Sequence, residues 1–439
     1  MKKFFINYKY LVILGLFVGI TSCENEAIPN PNGPTLESLV DGATQADLLL
    51  LATGVESVMR NDLGFYYNTT SIVGREYYDL NGTDPRYTGE LLGAGAGEGF
   101  LDNNGFLTTR TFAAGYRAIR NAYVLEEAVS NTVASLTAEE TNGYNGFTKL
   151  VRAYELLKLA NKQFNNGIRI DTRDPDNPGG FVDYNDALGQ ISSLLDDAIG
   201  DFNSGGATLA FDLSSGFDGF STPAGLAQFA QALKARVEMY RGNTGACLTA
   251  LGNSFFDLNG DLDMGVYHAF GTGGNDTRNP VFFVPSQDLY MAHPSFVTDA
   301  EAGDMRLNKV DELASPVSID DLTGTHQVQI YSSDVDGIAM VRNEELILLY
   351  AEANIGTNNA EAVAALNVIR NAAGLGDYAG ATDDASLVDE MLHQRRYSLF
   401  GEGHRWVDMR RYGRLGELPL DRAGDQVFDQ FPTPVSEGN

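Results

Sequence analysis

The sequence predicts a mostly α-helical protein, with stacked helix pairs as a scaffold and a loop-rich lobe carrying short strands. Three observations predict it. Apolar residues recur at helical spacing in stretch after stretch. Several stretches fall in consecutive pairs, and one pair alone has nowhere to bury its apolar faces, so stacking is the expected outcome. Long Gly-, Asn- and Asp-rich segments separate the stretches, and segments of that length usually carry function or an inserted lobe. The chain has 439 residues and is 43% hydrophobic, which is globular and longer than one core normally serves.

Residues 1–22 read as a bacterial lipoprotein signal peptide. Lys2, Lys3 and Lys9 precede the apolar run Leu11 to Ile20, which is followed by Thr21, Ser22 and Cys23. The run is too short to span a bilayer, so export, cleavage and diacylation of Cys23 are expected. The mature chain would then touch the membrane through its lipid anchor only. Residues 23–34 form the lipidated tether, with Pro29, Pro31 and Pro34 and no apolar period. Residues 35–439 form the body. With Cys23 lipidated, Cys247 has no disulfide partner, and its small apolar helical setting predicts an inert buried thiol.

Within the body, helical patterns run over 36–60, 108–130, 146–165, 184–202, 223–241, 341–355, 359–372 and 385–400. The expected pairs are 108–130 with 146–165, 184–202 with 223–241, and 341–355 with 359–372. The main loop-rich segments are 61–107, 166–183, 203–221 and 253–340, the last with β-like runs VFFVP and HQVQIY. The formal net charge is −29. Removing the leader takes away three lysines and no acid, leaving about −32. Such a field repels nucleic acid and anionic lipid, so no nucleic-acid partner is expected.

The C-terminal half carries a specific pattern. It has Arg342, Glu345, Leu348, Ala351, Glu352 and Ala353 in one helix, then Leu366, Asn367, Arg370 and Gly374. Arg395, Arg396, Glu402, Gly403, Arg405, Trp406, Asp408, Arg410 and Arg411 follow. This pattern resembles the SusD/RagB family of outer-membrane nutrient-binding lipoproteins, with Ser398 where that family usually has an acid. GYRAIRNAYVLEEAV, the helix beginning GFTKLVRAYELLKLANK and the closing FPTPVSE resemble its other segments. The resemblance implies four tetratricopeptide-like helix pairs, a glycan-binding lobe, a place on the outer membrane at the cell surface, and a SusC-like TonB-dependent transporter as partner.

Glu402, His404 and Asp408 in EGHRWVDMRR invite a catalytic reading. Glu402, Arg405, Asp408 and Arg411 at spacing three equally make an ion-paired ladder, and arginine-paired acids are poor general acids. No catalytic residues are expected. Trp406, the only tryptophan, belongs to that block and is expected in the core. Glycan platforms stack aromatic faces on sugars, so the tyrosine-dense loop 65–93 is the main candidate. It offers Tyr66, Tyr67, Tyr77, Tyr78 and Tyr87, with Asn68, Arg75, Asn81, Asp84 and Arg86 as hydroxyl partners. In an extended strand Tyr77 and Tyr78 point to opposite sides, one anchoring and the other facing ligand; Tyr78 and Tyr87 are the expected rings. Tyr290, His293 and Phe296 form a second candidate.

No cofactor is expected. A calcium loop at Asp257, Asn259, Asp261 and Asp263 has alternating oxygen donors, but Leu262 replaces the required glycine and His268 the bidentate acid. GAGAGEG lacks a phosphate-binding lysine. Three functions stand at this point. The first is capture of oligosaccharide or polysaccharide for the transporter. The second is capture of peptide by the same fold, which favours an edge strand or charged end-clamps. The third is a surface glycoside hydrolase, which needs two converging carboxylates.

Overall fold

A computed structural model describes residues 40–94, 100–274 and 276–438. The signal peptide, Cys23 and the tether lie outside the described residues. Helix α1 (Gln45–Val58) starts at a reciprocal cap, the Thr44 hydroxyl accepting from the Asp47 N–H and the Asp47 carboxylate from the Thr44 N–H. It packs on α3 (Phe106–Ser130). Then α4 (Ala138–Gln163), α5 (Tyr184–Asn203), α6 (Pro223–Tyr240) and α7 (Thr244–Asn253) pack each on the one before. Thr137, Asp183 and Thr222 cap α4, α5 and α6 through side-chain oxygens. Ile119, Leu150, Leu188, Leu195 and Leu233 fill the shared core, which also encloses Cys247. Gly146 lets α4 and α5 approach closely, since a Cβ there would lie 2.7 Å from the Phe202 ring. This stacked arrangement is a tetratricopeptide-like helical scaffold.

The lobe has its own core. Helix α2 (Leu63–Val73) leads into β1 (Tyr77–Asp79), the edge of an antiparallel four-stranded sheet. Its order is β1, β5 (Tyr290–Ala292), β7 (Leu322–Val328), β6 (Val310–Ile319). Two smaller ladders accompany it. One pairs β2 (Ile168–Arg169) with β3 (Phe181–Val182); the other pairs β4 (Gly265–His268) with β8 (Ile338–Arg342). The short α8 (Pro294–Thr298) follows β5. The C-terminal helices α9 (Asn343–Asn354), α10 (Asn359–Ala372) and α11 (Asp384–Ser398) enclose a third core around Leu348, Leu366 and Met391. Helix α12 (Arg405–Arg411) closes against α2.

The final segment straps both halves together. Phe428 O accepts from the Trp406 indole at 2.7 Å, and Asp429 O accepts from Arg410 at 2.7 Å. The Phe431 N–H donates to Lys162 O at 2.8 Å, and Glu437 pairs with Arg169 at 3.0 Å.

The expected helices appear within a few residues, except that the third begins at Ala138; of the first, 36–60, residues 36–39 lie outside the described residues and Gln45–Val58 is helical. Three features differ. Residues 63–73, expected as loop, are helical; Phe65 alone there is not buried, so no amphipathic period marks the segment. VFFVP is not a strand. HQVQIY supplies only its first three residues to β7, whose partner β6 is largely exposed and carries little apolar signal.

Candidate functional site

Most of the tyrosines proposed from the sequence are buried. Tyr66 and Tyr67 are buried on α2, and burial pushes the Tyr66 hydroxyl up to about 12. Tyr77 and Tyr78 alternate across the β1 strand as expected, yet both rings are buried, at 1% and 2% exposure. The Tyr77 hydroxyl donates to Asn68 at 2.9 Å while its ring meets Phe283, Tyr290 and Phe400 edge-on. The Tyr78 hydroxyl donates to Asp421 at 2.6 Å. The lobe covers both faces of the strand, so neither ring offers a face to ligand. His293 is also buried; one ring nitrogen lies 3.2 Å from Asp421 and the other 2.8 Å from the Ser295 hydroxyl. Tyr290 is half-buried, with one face stacked on Phe283 at 3.8 Å between centroids. Phe296, the third residue of that second candidate, is buried against Phe400.

Asp84, Arg86 and Tyr87 reach the surface together. Tyr87 packs edge-on against Phe106 at 6.1 Å, and Phe106 against Phe65 at 5.6 Å. All three rings are half-buried. The Arg86 guanidinium lies 4.2 Å above Phe106, and the Arg110 guanidinium 4.3 Å above Phe65. Each arginine is clamped by an acid. Arg86 donates to both Asp84 oxygens at 2.9 and 2.6 Å, and Arg110 donates to Asp62 at 2.9 Å. The arginine side chains stay 43% and 50% exposed, so the rings and clamps hold two planar cationic groups at the surface. The charges cancel pairwise. An aromatic-backed patch of acid-paired arginines, with spare N–H donors and carboxylate acceptors, suits a polyhydroxyl ligand. Phe65, Phe106 and Arg110 are not legible from the sequence, because they join Tyr87 and Arg86 only through contacts between residues distant in the chain. The cue present was an aromatic opening a helix directly after a glycine-rich loop.

The EGHRWVDMRR block is a buried ion network, but it does not run along one helix. Glu402 pairs with Arg342 of β8 at 2.8 Å, not with Arg405. Asp408 pairs with Arg395 of α11 at 2.7 Å and Arg411 at 2.8 Å, and Arg411 reaches Glu352 of α9 at 2.8 Å. Arg236 of α6 reaches Glu345 at 2.6 Å. Burial alone would raise the Asp408 carboxyl; the Arg395 and Arg411 guanidiniums outweigh it and hold it at about 2. Burial lowers His404 to about 4. A permanently ionised Asp408 cannot donate a proton near neutral pH. Trp406 is fully buried, as expected. Cys247 is a free buried thiol, pushed up to about 12 chiefly by burial.

The calcium-loop candidates do not converge. Asp257 and Asp261 accept the N–H groups two residues on, at 2.9 and 3.0 Å, and their carbonyls accept from Asn343. The Asp263 side chain is 84% exposed. Among the described residues no group of three His, Cys, Asp or Glu side chains is arranged to hold a metal. None of the described helices is long and apolar enough to cross a membrane.

Residues 323–437 match the model of the SusD family. A search of curated proteins finds no match. Solved structures do match across nearly the whole chain. Surface glycan-binding protein A from Bacteroides fluxus is 17% identical with a TM-score of 0.67, over 89% of this chain and 96% of that one. Surface glycan-binding protein A from Bacteroides thetaiotaomicron, in complex with laminarihexaose, is 13% identical with a TM-score of 0.64, over 90% and 97%. A laminarin-binding SusD-like protein is 18% identical with a TM-score of 0.62, over 90% and 97%. At these identities the likeness is one of fold. Residues 323–437 thus carry the sequence pattern of the SusD family, and the chain as a whole has the SusD-like fold.

Proposed function

We propose that this protein captures glycan at the cell surface, held to the outer membrane by a lipid on Cys23, and passes it to a TonB-dependent transporter without catalysing any reaction. The exposed patch of Tyr87, Arg86 and Arg110 carries the reading, because its paired charges and planar groups match neutral sugar rings better than a peptide backbone. The SusD-like fold supports it, as do structural relatives named for glycan or laminarin binding. Tyr87 supplies the ring, the Arg86 guanidinium a second plane, and Asp84 and Asp62 accept sugar hydroxyls.

A glycan-array screen of the purified protein identifies the ligand, and calorimetric titration then tests the patch. Tyr87→Ala is expected to cost about 1–3 kcal/mol of binding with circular dichroism unchanged, as truncating a binding anchor commonly does. Wild-type affinity in both Tyr87→Ala and Arg86→Ala would move the site elsewhere.

A further inference from the structure

A second concavity lies along the same helix that starts the aromatic patch. It has a volume of about 290 Å³ and sits between α3, the loop after β2 and the C-terminal strap. Phe112 and Tyr116 form one wall, with centroids 4.8 Å apart, and Pro175, Pro178 and Pro434 form the other. The Tyr116 hydroxyl is fixed at both ends, accepting from the Arg169 N–H at 2.8 Å and donating to Arg169 O at 3.1 Å, so that wall is rigid.

Two polar groups set in these walls are unused, and a third is only partly used. The Thr172 and Ser436 hydroxyls make no hydrogen bond among the described residues. Arg120 makes one, from Nη1 to Arg173 O at 3.0 Å. The neighbouring arginines are satisfied: Arg169 by Glu437 at 3.0 Å, Arg173 by Glu126 at 2.7 Å, and Arg152 by Glu126 at 3.2 Å. Arg120 has no carboxylate within ion-pair distance among the described residues. The cleft therefore carries one uncompensated positive charge, in a protein whose formal net charge is −29. Attraction between charges is strengthened where apolar walls exclude water. Beyond Arg120 and Pro175 the cleft opens into a polar recess that holds Glu127 and Asp174.

We infer that this cleft is a second saccharide subsite, selective for a sugar that bears one carboxylate, a hexuronate. This rests on the reading of the protein as a glycan binder. The Arg120 guanidinium takes the carboxylate, the Thr172 and Ser436 hydroxyls take ring hydroxyls, and the Tyr116 and proline walls take the C–H faces. Glu127 and Asp174 disfavour a second acid in the recess, so a single uronate joined to neutral sugars fits and a polyuronate does not. Arg120 lies fourteen residues along α3 from Phe106, roughly 21 Å at helical rise. The subsite thus lies well away from the aromatic patch.

The test is calorimetry on the purified full chain with cellobiouronic acid against cellobiose, which differ by one carboxylate, and with glucuronate and galacturonate at millimolar concentration. Binding of the acids is expected to exceed that of cellobiose at least tenfold, to weaken with salt, and to fall at least tenfold in Arg120→Gln. Tyr87→Ala is expected to leave it unchanged. Equal binding of acid and neutral disaccharide, wild-type acid binding in folded Arg120→Gln, or no acid binding at all would overturn the subsite. So would binding of a sulfated disaccharide or a tripeptide carboxylate in place of the uronates. A protein that still binds its array glycan but no uronate loses this subsite and keeps its proposed function; one that binds neither loses both.

Discussion

The C-terminal helices and the junction of α2 with β1 bury charge in different ways. Between α6, α9, α11 and α12, buried arginines face carboxylates, as in Arg236 with Glu345, Arg395 with Asp408 and Arg411 with Glu352. In the lobe, Arg75 is 1% exposed and donates only to backbone carbonyls. These are Ile72 O and Val73 O at the end of α2, Leu92 O in the loop, and Pro419 O and Gln426 O in the final segment, at 2.7–3.3 Å. The next residue, Glu76, also uses the backbone, accepting from the Gly401 N–H at 3.0 Å. Most carbonyls inside a helix are satisfied within it, so the arginines between these helices pair mainly with carboxylates; Arg410, which donates to Asn161 O and Asp429 O, is an exception. Irregular chain leaves carbonyls without partners, and one donor-rich guanidinium supplies them.

The contrast is broken most directly at Arg75. Arg75→Met leaves several buried carbonyls unsatisfied and is expected to cost about 4–5 kcal/mol in chemical denaturation. Arg75→Lys keeps the charge and loses the planar fork, so it should recover little. A lysine variant as stable as wild type would show that charge, not geometry, holds the lobe. Asp408→Asn should cost about 3–4 kcal/mol, because Arg395 and Arg411 stay buried with less compensation. Ligand affinity of the folded fraction should not change. Asp408 sits at about 2 against an unfolded value of 3.8, so its contribution is full above about pH 4 and is lost as pH falls towards 2. The Asn variant should lack that acid limb in melting curves. The smallest effect is at Glu76, which burial raises to about 7 from 4.5 despite the Gly401 bond. Unfolding lets it ionise at lower pH, so wild-type stability falls as pH rises from about 4.5 to about 7. Glu76→Gln should therefore melt higher than wild type at pH 8, with the gap closing by pH 4.5. An unchanged gap would mean that Glu76 is ionised in the native protein throughout.

The same contrast explains what was legible in the sequence. The scaffold helices show a one-sided apolar stripe, which periodicity reads directly. Leu188, Ile191, Leu195 and Phe202 recur at helical spacing within 184–202 and are buried. Asp408 was recognised as ion-paired because arginines stand around it in the chain, although Glu402 and Arg411 also reach across to other elements. Arg75 carried no such cue, because its partners are carbonyls that every residue possesses. Helix α2 was missed because burial on nearly all sides erases the stripe. Tyr77 and Tyr78 alternate as a strand requires, but alternation says nothing about whether a second layer covers the outer face. At the surface patch, Tyr87, Arg86 and Asp84 can be read together because they are neighbours in sequence; Phe65 and Phe106 cannot.

The strap has a consequence for the order in which the chain acquires its structure. The Lys162 ammonium, buried between Thr69, Leu107 and Thr111, lies 3.8 Å above the Phe431 ring, and Arg75 waits for Pro419 and Gln426. These groups belong to the first two fifths of the chain, and their covers come from its last few dozen residues. Until those residues are synthesised, the early helices hold solvated cations where the finished protein has a dry interior. A chain truncated before Pro419 is therefore expected to leave Arg75 and Lys162 open to solvent, loosening scaffold and lobe together.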